Sequence, residues 1–117
     1  TLVGWHQGIV DRHANQNSRP THEIEIHVLR LGDVAIATNP FELFVDFGVQ
    51  IKARSPALQT FVVQLVGVEG YLPTARAVRG GGYSAIAESN TVGPEGGQVL
   101  VDRTVDVVKS LWPEPKR

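Results

Sequence analysis

The stretch "HEIEIHVLRLGDVAIATNPFELFVDFGVQIKARSPALQTFVVQLV", residues 22–66, passes from strict alternation to helical spacing and back to an apolar run, which constrains the fold more than any other part of the chain. In "HEIEIHVLRL", Ile24, Ile26 and Val28 fall on one side and Glu23, Glu25 and His27 on the other, the period of a half-buried strand. Gly32-Asp33 is a two-residue hairpin signal, and "VAIAT", 34–38, reads as a continuous apolar strand buried on both faces. Asn39 suits the N-cap of a following helix and Pro40 its first turn, with Phe41, Phe44, Val45, Phe47 and Ile51 as a wide apolar face. Ser55-Pro56 ends that helix, because the residue before proline avoids helical geometry. "QTFVVQLV", 59–66, reads as another buried strand. A hairpin followed by strand, helix and strand predicts an α/β fold: a mixed β-sheet packed with helices and containing a βαβ-like unit.

The flanks add less. Leu2, Val3, Trp5, Ile9 and Val10 are loosely helical over residues 2–13, where Gly4 and Gly8 each cost roughly 1 kcal/mol relative to alanine. "NQNSRPT", 15–21, is a polar loop. Most of the glycines fall between Gly67 and Gly97, in what reads as a long irregular loop of the kind that lines sites. Val101, Val105, Val108 and Trp112 then mark an amphipathic helix of about 15 residues that Pro113 terminates.

At 117 residues the chain has room for one domain or a piece of a larger one. A formal charge of −1 offers no field for nucleic acid or anionic lipid, so no nucleic-acid partner is expected. No apolar run approaches the roughly 20 residues of a transmembrane helix. The lack of cysteine removes disulfides, thiolate metal sites and cysteine nucleophiles, and leaves the compartment open. With no methionine and a start in mid-pattern at "TLVGWHQGIV", the expectation is a fragment or a processed product.

Glu42 stands out chemically, as a lone carboxylate among Phe41, Leu43 and Phe44. With Asn39 as cap it falls at the third helical position, where a glutamate can reach back to the cap's own N–H. It also sits beyond the carboxyl end of a strand, where α/β folds gather ligands, and there a partly desolvated carboxylate favours a metal or another cation. His6, His13, His22 and His27 lack the spacing of a helical metal motif and read as surface or rim residues. "RGGGYS", 79–84, lacks the lysine of a phosphate loop; its glycines either let the backbone approach a ligand while positioning Tyr83 or form a flexible surface loop. Tyr71, in "GYLPT", is by itself a packed tyrosine with its hydroxyl at the rim. "GPEGGQ", 93–98, reads as a helix start with Glu95 favourable to the dipole.

Taken in order, "LGDVAIATNPFELFVDFGVQIKARSP", "YLPT" and "GGGYS" resemble the C-terminal part of the catalytic region of the neutral ceramidases and their bacterial relatives, over about residues 22 to 112. The resemblance implies that residues 1–117 are a single α/β domain or the C-terminal fragment of such a catalytic domain. It further implies zinc-dependent hydrolysis of the N-acyl amide of ceramide or a related acylated amine, in a secreted or periplasmic setting. Glu42 and Tyr71 would be zinc ligands and Tyr83 a hydrogen-bond donor to the substrate amide or its oxyanion. The family's two histidine ligands come from motifs upstream of everything in this chain, so the upstream part of the same protein would be an obligatory partner. Where the family has Tyr-x-Thr-Thr this chain has Tyr71-Leu72-Pro73-Thr74, and Ser84 replaces an acidic residue, which bears on the substrate. The alternative from another class is a non-catalytic α/β module, in which Glu42 caps its helix and the glycine-rich loop contacts a partner.

Overall fold

The computed structural model describes residues 2–113. Its elements run α1 (Leu2–Asn15), β1 (Val28–Leu31), β2 (Val34–Thr38), β3 (Glu42–Leu43), α2 (Val45–Arg54), β4 (Gln59–Val63), β5 (Tyr71–Leu72), α3 (Ala75–Gly80) and α4 (Pro94–Ser110). Single 3-10 turns lie at Tyr83–Ala85 and Ala87–Ser89. The fold is α/β. A three-stranded mixed sheet has the order β1-β2-β4, with β1 antiparallel to β2 and β4 parallel to it, so β2, α2 and β4 form the expected crossover unit. Beside it β3 and β5 make a second, two-stranded parallel sheet.

One face of the main sheet carries the core. Ala35 and Ala37 of β2 and Thr60 of β4 are buried there under α2 and α4, which also pack on each other. Phe41, Phe47, Ile51, Leu72, Leu100, Val101 and Val105 form one apolar cluster. Three of the four residues expected on the stripe of α4 lie there: Val101, Val105 and Val108 are buried on its inner face, joined by Leu100 and Thr104, whereas the helix ends at Ser110 and Trp112 lies beyond it. Gly93 caps this helix, Pro94 opens it and Glu95 lies in its first turn, while the expected stop is sharpened by Arg30, which donates from Nη1 to the Leu111 carbonyl and lies 4.3 Å over the Trp112 ring.

The other face of the same sheet is open. The register aligns Leu29, Ile36 and Phe61 across the three strands, and Leu29 and Phe61 are half exposed. Strand β2 is therefore not buried on both faces, and β4 alternates rather than lying in a continuous core. Helices cover one face only, and every second side chain of each strand belongs to the other.

Four boundaries differ from the sequence reading, each because the backbone groups find other partners. Residues 22–27 keep the expected alternation in burial but only Val28–Leu31 pairs as a strand; at the junction the His27 carbonyl accepts from Thr38 N–H and the Thr38 hydroxyl from His27 N–H. Strand β4 stops at Val63, since the Gln64 side chain accepts the Leu43 N–H and Leu65 turns the chain with a positive φ of 62°. The stretch 67–97 is not one irregular loop, since it contains β5, α3 and the two 3-10 turns. The helix expected to start at Asn39 starts instead at Val45, with extended Phe44 as a cap that makes no side-chain hydrogen bond. The Asn39 carboxamide accepts from Phe41 N–H in a local Asx turn, and Glu42 N–H goes to the Gly70 carbonyl. Glu42 is thus in a strand and not in a capping box. The far end of α2 falls where expected, with Ser55 as C-cap before Pro56.

The junction of α2 and α4 tolerates no extra carbon at Gly97. A Cβ there would lie 2.3 to 2.9 Å from three atoms of the Phe47 ring. Gly97→Ala is expected to destabilise the chain by about 1–3 kcal/mol through overpacking. Denaturant midpoints measure this, and Gly48→Ala, where nothing lies within 4 Å, is the control expected not to clash.

Candidate functional site

Residues 39–44 run between two neighbouring segments and are held by both. On one side Asn39 N–H donates to the Val63 carbonyl, while Val66 N–H and Leu65 N–H donate to the carbonyls of Asn39 and Phe41. On the other, Glu42 N–H and Phe44 N–H donate to the carbonyls of Gly70 and Leu72, at 3.2 and 3.3 Å. The resulting parallel register sets Glu42 opposite Tyr71 and Leu43 opposite Leu72. Leu72 is fully buried and Leu43 packs on the same cluster. Alternation then sends the Glu42 and Tyr71 side chains to the opposite side of this small sheet, next to each other.

Tyr83 reaches the same place from a different segment. Thr74 caps α3, its hydroxyl accepting from Ala77 N–H at 3.2 Å, and the chain leaves that helix through Gly81 and Gly82, with φ of 75° and 112°. These left-handed conformations suit glycine and turn the backbone so that Tyr83 meets Tyr71 edge to face, ring centroids 6.1 Å apart and planes at 83°. All three residues singled out in the sequence are therefore brought together, on three separate pieces of chain. Tyr83 is the most open of them, two-thirds exposed.

The carboxylate sets the electrostatics. Hydrogen bonding to the neighbouring Glu42 carboxylate raises the pKa of the Tyr71 phenol; partial desolvation, the carboxylate's negative charge and the neighbouring Tyr83 act in the same direction. The folded state thus favours neutral Tyr71. The stability this contact contributes is fully present below the ordinary phenol value of about 10, and is lost as pH rises through the elevated folded value.

Helix α1 supplies what the sequence did not reveal. It has no buried residue and rests on the segment after Tyr83: Trp5 Nε1 donates to the Glu88 carbonyl at 3.1 Å, and Arg12 Nη2 to the Ala87 carbonyl at 2.6 Å. His6 pairs with the Glu88 carboxylate at 3.3 Å. Trp5 is placed 6.3 Å from the Tyr83 ring, so the site has an aromatic wall of Trp5, Tyr83 and Tyr71. The available signal was the spacing of Trp5 and Arg12, seven residues apart and hence on one face of a helix.

All four histidines are exposed, as expected. His22 pairs with Glu69 and His27 with Glu25, each at 3.0 Å. Among the described residues no group of three or more histidine, aspartate or glutamate side chains could hold a metal ion. Glu42 and Tyr71 could supply one carboxylate and one phenol to a cation whose remaining ligands come from elsewhere. Among the described residues no helix is long and apolar enough to cross a membrane. No family model, curated protein or solved structure matches the chain.

The chain has two tyrosines, both at this site, so phenolate absorbance reads the site directly. In Glu42→Ala the Tyr71 titration is expected to move down toward the ordinary phenol value, because the hydrogen-bond acceptor and its negative charge are removed together. Spectrophotometric titration with Tyr71→Phe as the assignment control checks this; an unmoved curve would mean that Glu42 is not the phenol's partner.

Proposed function

We propose that this chain is part of a zinc amidohydrolase of the ceramidase type, supplying Glu42 and Tyr71 as two of four metal ligands and Tyr83 as a donor to the substrate. The single observation that carries it is the register pairing of Glu42 with Tyr71, with Tyr83 edge-on to Tyr71. Two oxygen donors of different acidity side by side, on short strands held by backbone hydrogen bonds, make half of a plausible donor set for zinc. The other half, two histidines, would come from the upstream part of the protein.

When bound, zinc supplies Lewis-acid polarisation of an amide carbonyl and activation of water near neutral pH. This chain's own residues do the rest. Tyr83, two-thirds exposed, would donate a hydrogen bond to the amide oxygen as negative charge develops there. The β3–β5 pairing sets the backbones of Glu42 and Tyr71 opposite each other. Trp5 and the two tyrosine rings, tilted and edge to face, offer aromatic surface to an acyl chain or sphingoid-type base, which fits ceramide or another acylated amine as substrate.

The non-catalytic alternative loses its particular premise, since Glu42 caps no helix. A module that uses the same surface only for binding would keep function in Glu42→Gln.

The isolated chain is expected to bind zinc weakly and to hydrolyse nothing. In the intact protein, Glu42→Ala should abolish both stoichiometric zinc and amide hydrolysis. Tyr83→Phe should keep the metal and lower kcat by about 10²–10³, the usual loss on removing one oxyanion donor. Metal analysis beside a substrate panel of ceramide, short-chain amides and esters decides it; unchanged zinc in Glu42→Ala would overturn the proposal.

A further inference from the structure

Asn90 lies where the loop carrying Tyr83 returns to the strand carrying Tyr71. Its side-chain NH₂ donates to two main-chain carbonyls, that of Tyr71 at 3.2 Å and that of Ser84 at 3.0 Å. The amide has two hydrogens and both are used. A flipped side chain would set Oδ1 against two carbonyl oxygens, so the two acceptors fix its orientation. One carbonyl belongs to Tyr71 itself and the other to the residue after Tyr83.

Two further contacts press the same segment into place. Arg12 of α1 donates from Nη1 to the Asn90 carbonyl. A Cβ on Gly70 would lie 2.4 Å from the Ser89 carbonyl oxygen, so the segment before Asn90 runs directly against the start of β5, and glycine at 70 is what permits the approach. Asn90 is the C-cap residue of the preceding 3-10 turn and lies four residues before α4, whose N-cap is Gly93.

We propose that Asn90 is a positioning residue for the two phenols: one side-chain amide ties the backbone of Tyr71 to that of the Tyr83 turn and thereby fixes how the two rings meet. Its catalytic meaning rests on the zinc amidohydrolase reading, whereas the tie does not. The residue touches no substrate; it acts through Tyr71 and Tyr83. Neither alanine nor aspartate can replace it. Alanine leaves two carbonyls without their donor, and a carboxylate turns toward them only acceptor oxygens.

NMR of the full chain tests the tie, helped by the presence of two tyrosines, whose rings a Tyr71→Phe variant tells apart. The wild type should give a cross-peak between the two rings, and scalar couplings across the hydrogen bonds from Asn90 Nδ2 to the carbonyl carbons of Tyr71 and Ser84. In Asn90→Ala the chain should stay folded while the ring cross-peak is lost. Ser89→Ala, which removes a neighbouring buried hydroxyl that has no hydrogen-bond partner among the described residues, should leave it in place. A folded Asn90→Ala chain that keeps the ring contact overturns the proposal. Should that variant fail to fold, the wild-type couplings decide: their absence overturns the tie and their presence establishes it. In the intact protein Asn90→Ala should lower kcat with zinc content unchanged, and a parent protein without zinc or amidase activity would count against the catalytic reading while leaving the NMR result standing.

Discussion

The backbone N–H of Glu42 donates to the carbonyl of Gly70, and much of the molecule is arranged around that diversion. Had residues 40–44 wound into the first turn of a helix, Glu42 would point back along the helix axis toward its cap. As a strand they place it across from Tyr71 and hold Leu43 and Leu72 together beneath it. An unpaired N–H buried at this point would carry the full cost of a lost hydrogen bond, about 1–3 kcal/mol. The pairing therefore anchors the base of the site as well as orienting it. Asn39 and Gln64 assist from either side by occupying the Phe41 and Leu43 amides, so every N–H from Phe41 to Leu43 has an acceptor outside a helix.

The core beneath is built to keep that strand in place. Phe41, one residue before β3, is buried in the cluster that also holds Phe47, Ile51, Leu100, Val101 and Val105, so α2 and α4 grip the strand's entry. Gly97 lets the Phe47 ring lie against the α4 backbone, and the Arg54 guanidinium reaches from α2 to Asp102 of α4 at 2.6 Å. That ion pair is solvent-exposed and contributes little beside the apolar contacts. The site is thus densely packed at its floor and open at its rim, where α1, with no buried residue, lies on the surface of segment 87–90.

What the sequence disclosed and what it withheld divide along the range of the interactions involved. The hairpin at Gly32-Asp33, the crossover around α2, the stop at Ser55-Pro56 and the stripe of α4 depend on periodicity and punctuation within a few residues, and these were legible. The start of α2 was not, because Asn39-Pro40 is good helix-start chemistry that loses to a partner 28 residues further on, Gly70, which accepts the Glu42 N–H. No local rule counts such a partner. The one-sided burial of β2 and β4 was hidden for a related reason: an apolar run does not say how many faces the rest of the chain can cover. Glu42, Tyr71 and Tyr83 were found through the order of their motifs, while Trp5 and Asn90, which complete their surroundings, belong to no motif and became visible only through contacts 83, 19 and 6 residues apart in sequence.

Glu42 and Tyr71 together also limit what could occupy the site. The neighbouring carboxylate raises the pKa of the Tyr71 phenol, so the folded chain favours the neutral phenol beside Glu42. A monovalent ammonium or guanidinium group would be matched by the carboxylate alone and would leave the phenol proton where it is. Drawing Tyr71 into direct ligation requires removing a proton that the carboxylate itself makes harder to lose. Under the proposed zinc chemistry, a divalent metal ion would offset that cost, because such ions lower the proton affinity of their ligands. The arrangement therefore suits either a simple carboxylate–phenol hydrogen bond or a divalent cation, with the proton as the thing exchanged between them, and the proposed zinc chemistry requires the second of these two states.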